Sequence, residues 1–280
     1  MHPNEPILET KGLTKAFHGF TAVAGVDLRV RRGDIHALIG PNGAGKTTCF
    51  NLLTRFIAPS AGAILFKGRD ITGLPPAWVA RRGLVRSFQI SAVFPDLTVL
   101  ENVRIGLQRA STGHYCFWRS ARSLRALDGR AREHLEQVGL QDMAHARAAS
   151  LPYGRKRALE LATTLAMDPE VMLLDEPTQG MGHEDIQRVT DLIKAVSAGR
   201  TVLMVEHNMA VVSRIADRIT VLQRGSVLAE GDYASIAANP DVVAAYMGST
   251  DVDSTDVGGT DVGGTAADSA DAGAGAKEAR

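Results

Sequence analysis

The sequence predicts an α/β fold with a mostly parallel central sheet, and three observations predict it. Apolar runs at 36–39, 171–174 and 201–205 lack the polar alternation of a half-exposed strand and read as strands buried on both faces. Amphipathic or apolar helical stretches at 47–56, 184–197 and 209–216 are interleaved with them, as the crossovers of a parallel sheet require. The chain has 280 residues, 45% of them hydrophobic, which is ample for one large domain or two small ones.

Taken in order, residues 7–17 and 23–31 read as strands, with Arg32-Gly33 as a tight turn before a third at 34–39. A glycine-rich turn follows, then the helix at 47–56. The stretch 61–71, AGAILFKGRDI, is a strand-and-turn unit, and 75–82 is a short helix carrying Trp78. From about 98 to 170 the pattern is helical, with a break at 111–118. The apolar strands at 171–174 and 201–205 alternate with their helices, and strands at 219–223 and 226–230 flank an Arg-Gly turn. The hairpin-like edges and the helical block after residue 90 are additions to the core sheet. No repeat of solenoid period is present.

Charge excludes some classes of function. Lys+Arg and Asp+Glu are both 31, so a nucleic-acid binder held by a general basic field is not expected. The balance is uneven along the chain. Residues 249–280 hold 7 of the acidic and 2 of the basic residues, leaving 29 basic and 24 acidic, net +5, in the rest. That tail is Gly, Ala, Asp, Thr and Ser with a TDVGG repeat and no aromatic residue, a composition expected to be disordered. The folded domain is then 1–248, its helical part roughly 90–160. Cys49 and Cys116 are too few for a disulfide scaffold. No apolar run reaches spanning length, and the opening MHPNEPILETK lacks a basic region followed by an apolar stretch, so a secretion leader is not expected. A soluble, cytoplasmic chain is expected, with any membrane attachment supplied by another protein.

The chemistry is concentrated in two motifs. Residues 40–47 read GPNGAGKT, with Thr48 next, between a strand and a helix. Gly40, Gly43 and Gly45, with Asn42 and Ala44 between them, allow a turn that points successive backbone amides inward. Lys46 brings a charge for outer phosphates, the Thr47 hydroxyl suits Mg²⁺, and the helix N-terminus adds its dipole. The second motif, VMLLDEP, is an apolar strand ending in Asp175-Glu176. In phosphate-loop enzymes Asp175 is expected to hold Mg²⁺ and Glu176 to polarise the attacking water.

With these motifs the chain resembles the ATP-binding subunits of ABC transporters over residues 5–248, most of all the ATPases of branched-chain amino-acid importers. The resemblance implies an α/β phosphate-loop ATPase of ABC type, with an antiparallel β-subdomain and a helical subdomain. Phe17, in KAFHGF, takes the place of the aromatic that stacks on adenine. Gln89, in SFQ, takes that of the glutamine sensing Mg²⁺ and the γ-phosphate. LPYGRKRALE, beginning Leu151, Pro152, Tyr153, Gly154, Arg155, stands where the family has its signature motif, and His207, in VEHNM, stands for the switch histidine. Phe17 alone reads equally as core packing, and His207 alone as a structural strand-end histidine. DITGLPP, FPDLTVLENV, NPDVVAAYMG and the tyrosine in the signature point to branched-chain amino-acid importers rather than sugar or metal importers.

The sequence departs from the family where Pro152 replaces a serine, Arg155 a glutamine, and Gly182 an Asp or Asn. Ser150 is placed to cap the signature helix, and the charge of Arg155 to compensate in part for the lost serine. The resemblance implies ATP and Mg²⁺, two permease subunits, a second ABC ATPase chain, an extracytoplasmic solute-binding protein and no nucleic acid, at the cytoplasmic face of the inner membrane. The alternatives are a urea or amide importer, a lipopolysaccharide exporter and, further off, a soluble ABC ATPase. The arginines at 119–133 read as a solvated helix face before they read as a lipid or partner contact. Cys49 reads as a small buried filler.

Overall fold

The computed structural model describes residues 5–87, 93–111 and 125–247. Gln89, Cys116 and the tail 249–280 lie outside the described residues. Two sheets form the frame. The first is antiparallel, with β1 (Pro6–Phe17), β2 (Phe20–Val26) and β3 (Arg29–Arg31). The second begins with β4 (Ile35–Ile39), which leads through the glycine-rich turn into α1 (Lys46–Leu53). Strands β5 (Ala61–Phe66) and β6 (Arg69–Asp70) return to the first sheet, in the order β2-β1-β5-β6 with β3 also on β1.

Helix α2 (Pro76–Arg81) and strand β7 (Leu84–Ser87) precede the helical layer of α3 (Val99–Ser111), α4 (Asp128–Gln137) and α5 (Tyr153–Leu165). The core then closes with β8 (Val171–Asp175), α6 (His183–Val196), β9 (Thr201–Val205), α7 (Met209–Ile215), β10 (Arg218–Gln223) and β11 (Ser226–Gly231). Two short helices follow, α8 (Tyr233–Ala237) and α9 (Pro240–Met247). The second sheet runs β11-β10-β4-β9-β8-β7, parallel except for the β10–β11 hairpin.

Alternation along the buried strands splits the core into two faces. Ile35, Ala37 and Ile39 of β4, with Met172 and Leu174 of β8, face the helical layer. Leu38, Val171, Leu173, Leu203 and Val205 face α1 and the antiparallel sheet, packed on Phe50. This is why these strands are apolar without a break: each is covered on both sides.

The expected strand at 23–31 divides into β2 and β3. Pairing of β2 on β1 ends at Leu13↔Val26, and β3 pairs further along β1, from Glu9↔Arg29 to Pro6↔Arg31. Strand β7 was not expected; LVRS is four residues after a glycine, too short to show a period. The Arg-Gly turn is confirmed between β10 and β11, with Arg224 and Gly225 both at positive φ (47° and 82°). Its tip bridges the layers: the Gly225 amide donates to Ala44 O at 3.0 Å, and the Ala24 amide donates to Gly225 O at 2.8 Å.

Candidate active site

Register brings the two motifs to the same end of the parallel strands. Leu38 is level with Val205, and Val205 with Asp175. The segments after β4, β8 and β9, carrying residues 40–48 (the turn and the start of α1), Glu176 and His207, therefore leave the sheet side by side.

The glycines of the first loop are required by close approach. A Cβ on Gly40, at φ 148°, would fall 2.1 Å from Leu222 O. On Gly45, at φ 98°, it would fall 2.4 Å from Ala22 O. Gly45 is also the N-cap of α1. It offers no side-chain cap, and the first turn holds no acidic residue, so no side chain of this helix start competes with an anion for its amides. Lys46 is 9% exposed and curls over the loop, its Nζ donating to Gly40 O at 2.7 Å and Pro41 O at 3.0 Å. Burial pulls its ammonium below the usual lysine range, partly opposed by the charge of nearby Glu176. The arrangement is a cradle of amides with one cation folded into it. Asn42 and Thr47 are exposed, Ala44 is buried, and Thr48 is half-buried.

Asp175, nearly buried at the end of β8, pairs with the Arg86 guanidinium, which also donates to Asn51 Oδ1 at 2.6 Å. The Asp175 carboxylate thus carries a cationic partner in this structure. Asp175 and the exposed Thr47 hydroxyl are hard oxygen donors, of the chemical type that Mg²⁺ takes together with phosphate oxygens and water. Glu176 follows with φ 46°, a left-handed conformation that a glutamate adopts only when its surroundings hold it there. Its amide donates to Val205 O at 3.0 Å, and its carbonyl accepts from Gln179 at 3.1 Å.

Glu206 was not foreseen as a site residue. It is 0% exposed, and its carboxylate accepts from the Thr178 amide and hydroxyl and from the amides of His207 and Asn208. It welds the loop after Glu176 to the loop of exposed His207. Arg86 and Asn51 were missed as well. The only sequence signal was a lone charge beside an apolar run, VEH for Glu206 and LVRSF for Arg86.

The signature segment is anchored elsewhere. The Tyr153 hydroxyl donates to Gln179 O at 2.9 Å, and Gly154 lies so close to Asp185 that a Cβ would meet its carboxylate at 2.9 Å. Leu151 is buried and precedes the helix. Ser150 does not cap α5, contrary to expectation: its hydroxyl donates to Arg147 O at 2.8 Å, and the N-cap is Pro152 with no side-chain bond. Arg155 donates to Gly139 O at 2.6 Å, so part of its guanidinium is committed within its own chain. Gly182, in place of Asp or Asn, leaves α6 without a side-chain cap.

Phe17 is 42% exposed, which removes the core-packing alternative, and Lys15 Nζ sits 4.9 Å from its ring centroid. Its hairpin belongs to the sheet whose Ala22 abuts Gly45. Cys49 is the buried filler expected of it, its thiol pushed up to about 12 by burial. Of the arginines at 119–133, Arg125, Arg130 and Arg132 are exposed, in keeping with a solvated face, and Arg119 and Arg122 lie outside the described residues. Among the described residues no helix is long and apolar enough to cross a membrane.

Comparison with known proteins identifies the family. The pattern of the ABC transporter family matches residues 23–179, and that described as "Branched-chain amino acid ATP-binding cassette transporter" matches 226–252. The chain is 41% identical over 254 residues to the high-affinity branched-chain amino acid transport ATP-binding protein LivG of Salmonella typhimurium, covering 88% of this chain and 99% of that protein. Among solved structures it superposes on the ADP conformation of MJ1267, an ATP-binding cassette of an ABC transporter, with TM-score 0.77, 29% identity, and 87% and 99% of the two chains covered. The dimeric cassette MJ0796 bound to ADP and Pi matches with TM-score 0.68 and 25% identity, over 80% and 98%. On the family pattern and on this identity over nearly the whole length of a relative, the chain belongs to the ABC transporter family and is one of its ATP-binding cassettes.

Proposed function

We propose that this ATPase energises the uptake of branched-chain amino acids, as the peripheral subunit of an importer on the cytoplasmic face of the membrane. The observation that supports the substrate class is the match of residues 226–252 to the branched-chain amino acid cassette pattern, beside 41% identity to LivG. The proposed partners are two permease subunits, an extracytoplasmic solute-binding protein and a second ATPase chain. The known dimeric state of the cassette MJ0796 supports the last of these.

In this reading the amides of Gly43–Thr48 and the Lys46 ammonium bind the outer phosphates of ATP, and Phe17 stacks on the base. Thr47 and Asp175 hold Mg²⁺, with Gln89 as a further ligand. The ion, when bound, neutralises charge on the phosphate oxygens. Glu176 orients a water in line with the γ-phosphorus and accepts its proton, and His207 positions the γ-phosphate. Residues 151–155 face the nucleotide held by the opposite cassette. Catalysis is positioning and charge stabilisation, without a covalent intermediate on the protein.

The test is uptake by proteoliposomes containing this chain and its cognate permeases, with ATP inside and the solute-binding protein outside. ATP-dependent accumulation of radiolabelled leucine, isoleucine or valine, lost with Lys46→Ala, is expected. Accumulation of urea with no leucine uptake would replace the substrate assignment.

A further inference from the structure

A cavity of about 140 Å³ beneath the helical layer holds charges that phosphate binding does not use. It is lined in part by Arg86, Asn102, Gly106, Glu160 and Thr164. Arg86 reaches it from β7 with one guanidinium edge on Asp175 and Asn51, while its Nε is buried with no hydrogen-bond partner among the described residues. Glu160 reaches it from α5. Its side chain is 3% exposed; Oε2 accepts from Arg157 at 2.8 Å, and Oε1 is buried with no partner among the described residues. A buried carboxylate oxygen without a donor is costly, and so is an unpaired guanidinium nitrogen. The two sit on the wall of one cavity.

We infer that Arg86 is a positioning residue with two anionic partners: it holds the Asp175 carboxylate until a divalent cation takes that oxygen, and then turns across the cavity to Glu160 Oε1. The inference rests on the reading of Asp175 as a metal ligand. A divalent ion and a guanidinium repel each other on one nearly buried carboxylate. Arginine cannot shed its charge, so the displaced group needs another anion. Glu160 then carries Arg86 on one oxygen and Arg157 on the other. Arg157 in turn lies 3.5 Å from the Glu176 carbonyl, and Glu160 is on the helix that starts at the signature segment. Metal at Asp175 is thereby reported to α5 and to the loop of Glu176 through side chains of this chain alone.

The experiment measures Mn²⁺ affinity by electron paramagnetic resonance, on the full chain loaded with a non-hydrolysable ATP analogue. Glu160→Gln keeps the shape and an acceptor for Arg157 but removes the anion that receives Arg86. It is expected to weaken Mn²⁺ binding roughly tenfold, the worth of one charged hydrogen bond, with metal-free nucleotide affinity unchanged. Arg86→Met removes the competing cation, so Mn²⁺ is expected to bind as tightly as in the wild type or more so. Adding Glu160→Gln to Arg86→Met is then expected to change nothing further. Wild-type Mn²⁺ affinity in Glu160→Gln, or the same loss with and without Arg86, overturns the transfer. If Glu160→Gln does not fold, Arg86→Met decides alone: equal or tighter binding supports the transfer, and a tenfold loss overturns it. A wild-type complex that binds Mn²⁺ no better than the free analogue overturns the metal-ligand reading of Asp175 instead.

Discussion

One oxygen of Glu206 accepts two hydrogen bonds from Thr178, from its hydroxyl at 2.6 Å and from its amide at 3.1 Å. The other oxygen accepts from the amides of His207 and Asn208, at 3.1 and 3.2 Å. A single buried carboxylate therefore sets the spacing between the Glu176 loop and the His207 loop. Because each loop carries one group proposed to act on the γ-phosphate, that spacing is a functional dimension.

Glu206→Ala leaves three amides and a hydroxyl in the interior without their acceptor. It should cost about 3 kcal/mol of stability, the scale of losing charge-assisted hydrogen bonds at a buried site. Urea denaturation gives the value. ATPase activity at a temperature where the variant is folded should also fall, since both loops are released. A variant with wild-type stability would show that water replaces the carboxylate at no loss.

Lys46→Ala and Glu176→Gln separate binding from hydrolysis. The Lys46 ammonium folds onto Gly40 O and Pro41 O within its own loop, so its loss removes local bonds only, and the fold should survive. Calorimetry should show nucleotide affinity reduced at least tenfold, the worth of a charge-assisted contact. Glu176→Gln keeps the backbone bonds to Val205 and Gln179, so ATP binding should persist while turnover stops. A hydrolysing Glu176→Gln variant would remove Glu176 from the mechanism.

The parts of the site legible in the sequence are those made of neighbours in the chain. GPNGAGKT and VMLLDEP state their chemistry through spacing alone, because one turn or one strand end presents all their groups. Asp175–Arg86 and Glu206–Thr178 span 89 and 28 residues, and they exist only because β7, β8 and β9 lie side by side. Nothing local to Arg86 marks it as the partner of Asp175. The fold was legible for a similar reason: strands covered on both faces must be continuously apolar, as 171–174 is. β7 escaped because four residues give no period, and the β2–β3 break because it is fixed by where each segment pairs on β1.

The stability of the chain should fall as the solution is acidified through the histidine range. His36, on β4, has its Nε2 2.8 Å from Thr220 Oγ1. Burial first, with Arg218 and Arg31 adding to it against the opposing charge of Glu230, holds the imidazole down to about 4 from the ordinary 6.5. As pH drops below 6.5 the unfolded chain takes up a proton that the folded chain refuses, so stability is fully present above 6.5 and is lost progressively toward 4. The loss is about 2 kcal/mol between pH 7 and 5, at roughly 1.4 kcal/mol per pH unit of the difference. Urea unfolding at the two pH values, for wild type and His36→Gln, isolates this group. An equal pH dependence in both would assign the acid sensitivity to other residues.

Pro152→Ser should raise the turnover of the assembled transporter. Pro152 is the N-cap of α5, at φ −56° and ψ 157°, and it brings neither a hydroxyl nor an amide proton to the helix start. Neighbouring side chains do not make good the loss. Ser150 turns its hydroxyl back to Arg147 O, and Arg155 gives one guanidinium nitrogen to Gly139 O. A serine at 152 has two separate effects. As an N-cap it accepts from the amides of the first turn, adding about 1 kcal/mol of stability. As a donor it offers a hydroxyl to a γ-phosphate on the opposite cassette, and one hydrogen bond to a charged group is worth roughly 1.5–3 kcal/mol, tenfold or more in rate if it forms in the transition state. The two effects have different readouts. A raised melting temperature with an ATPase rate up about tenfold, seen only in the assembled complex, means that the first turn of α5 faces the nucleotide. A raised melting temperature with an unchanged rate means that it does not, and the proposed role of residues 151–155 at the opposite site falls with it.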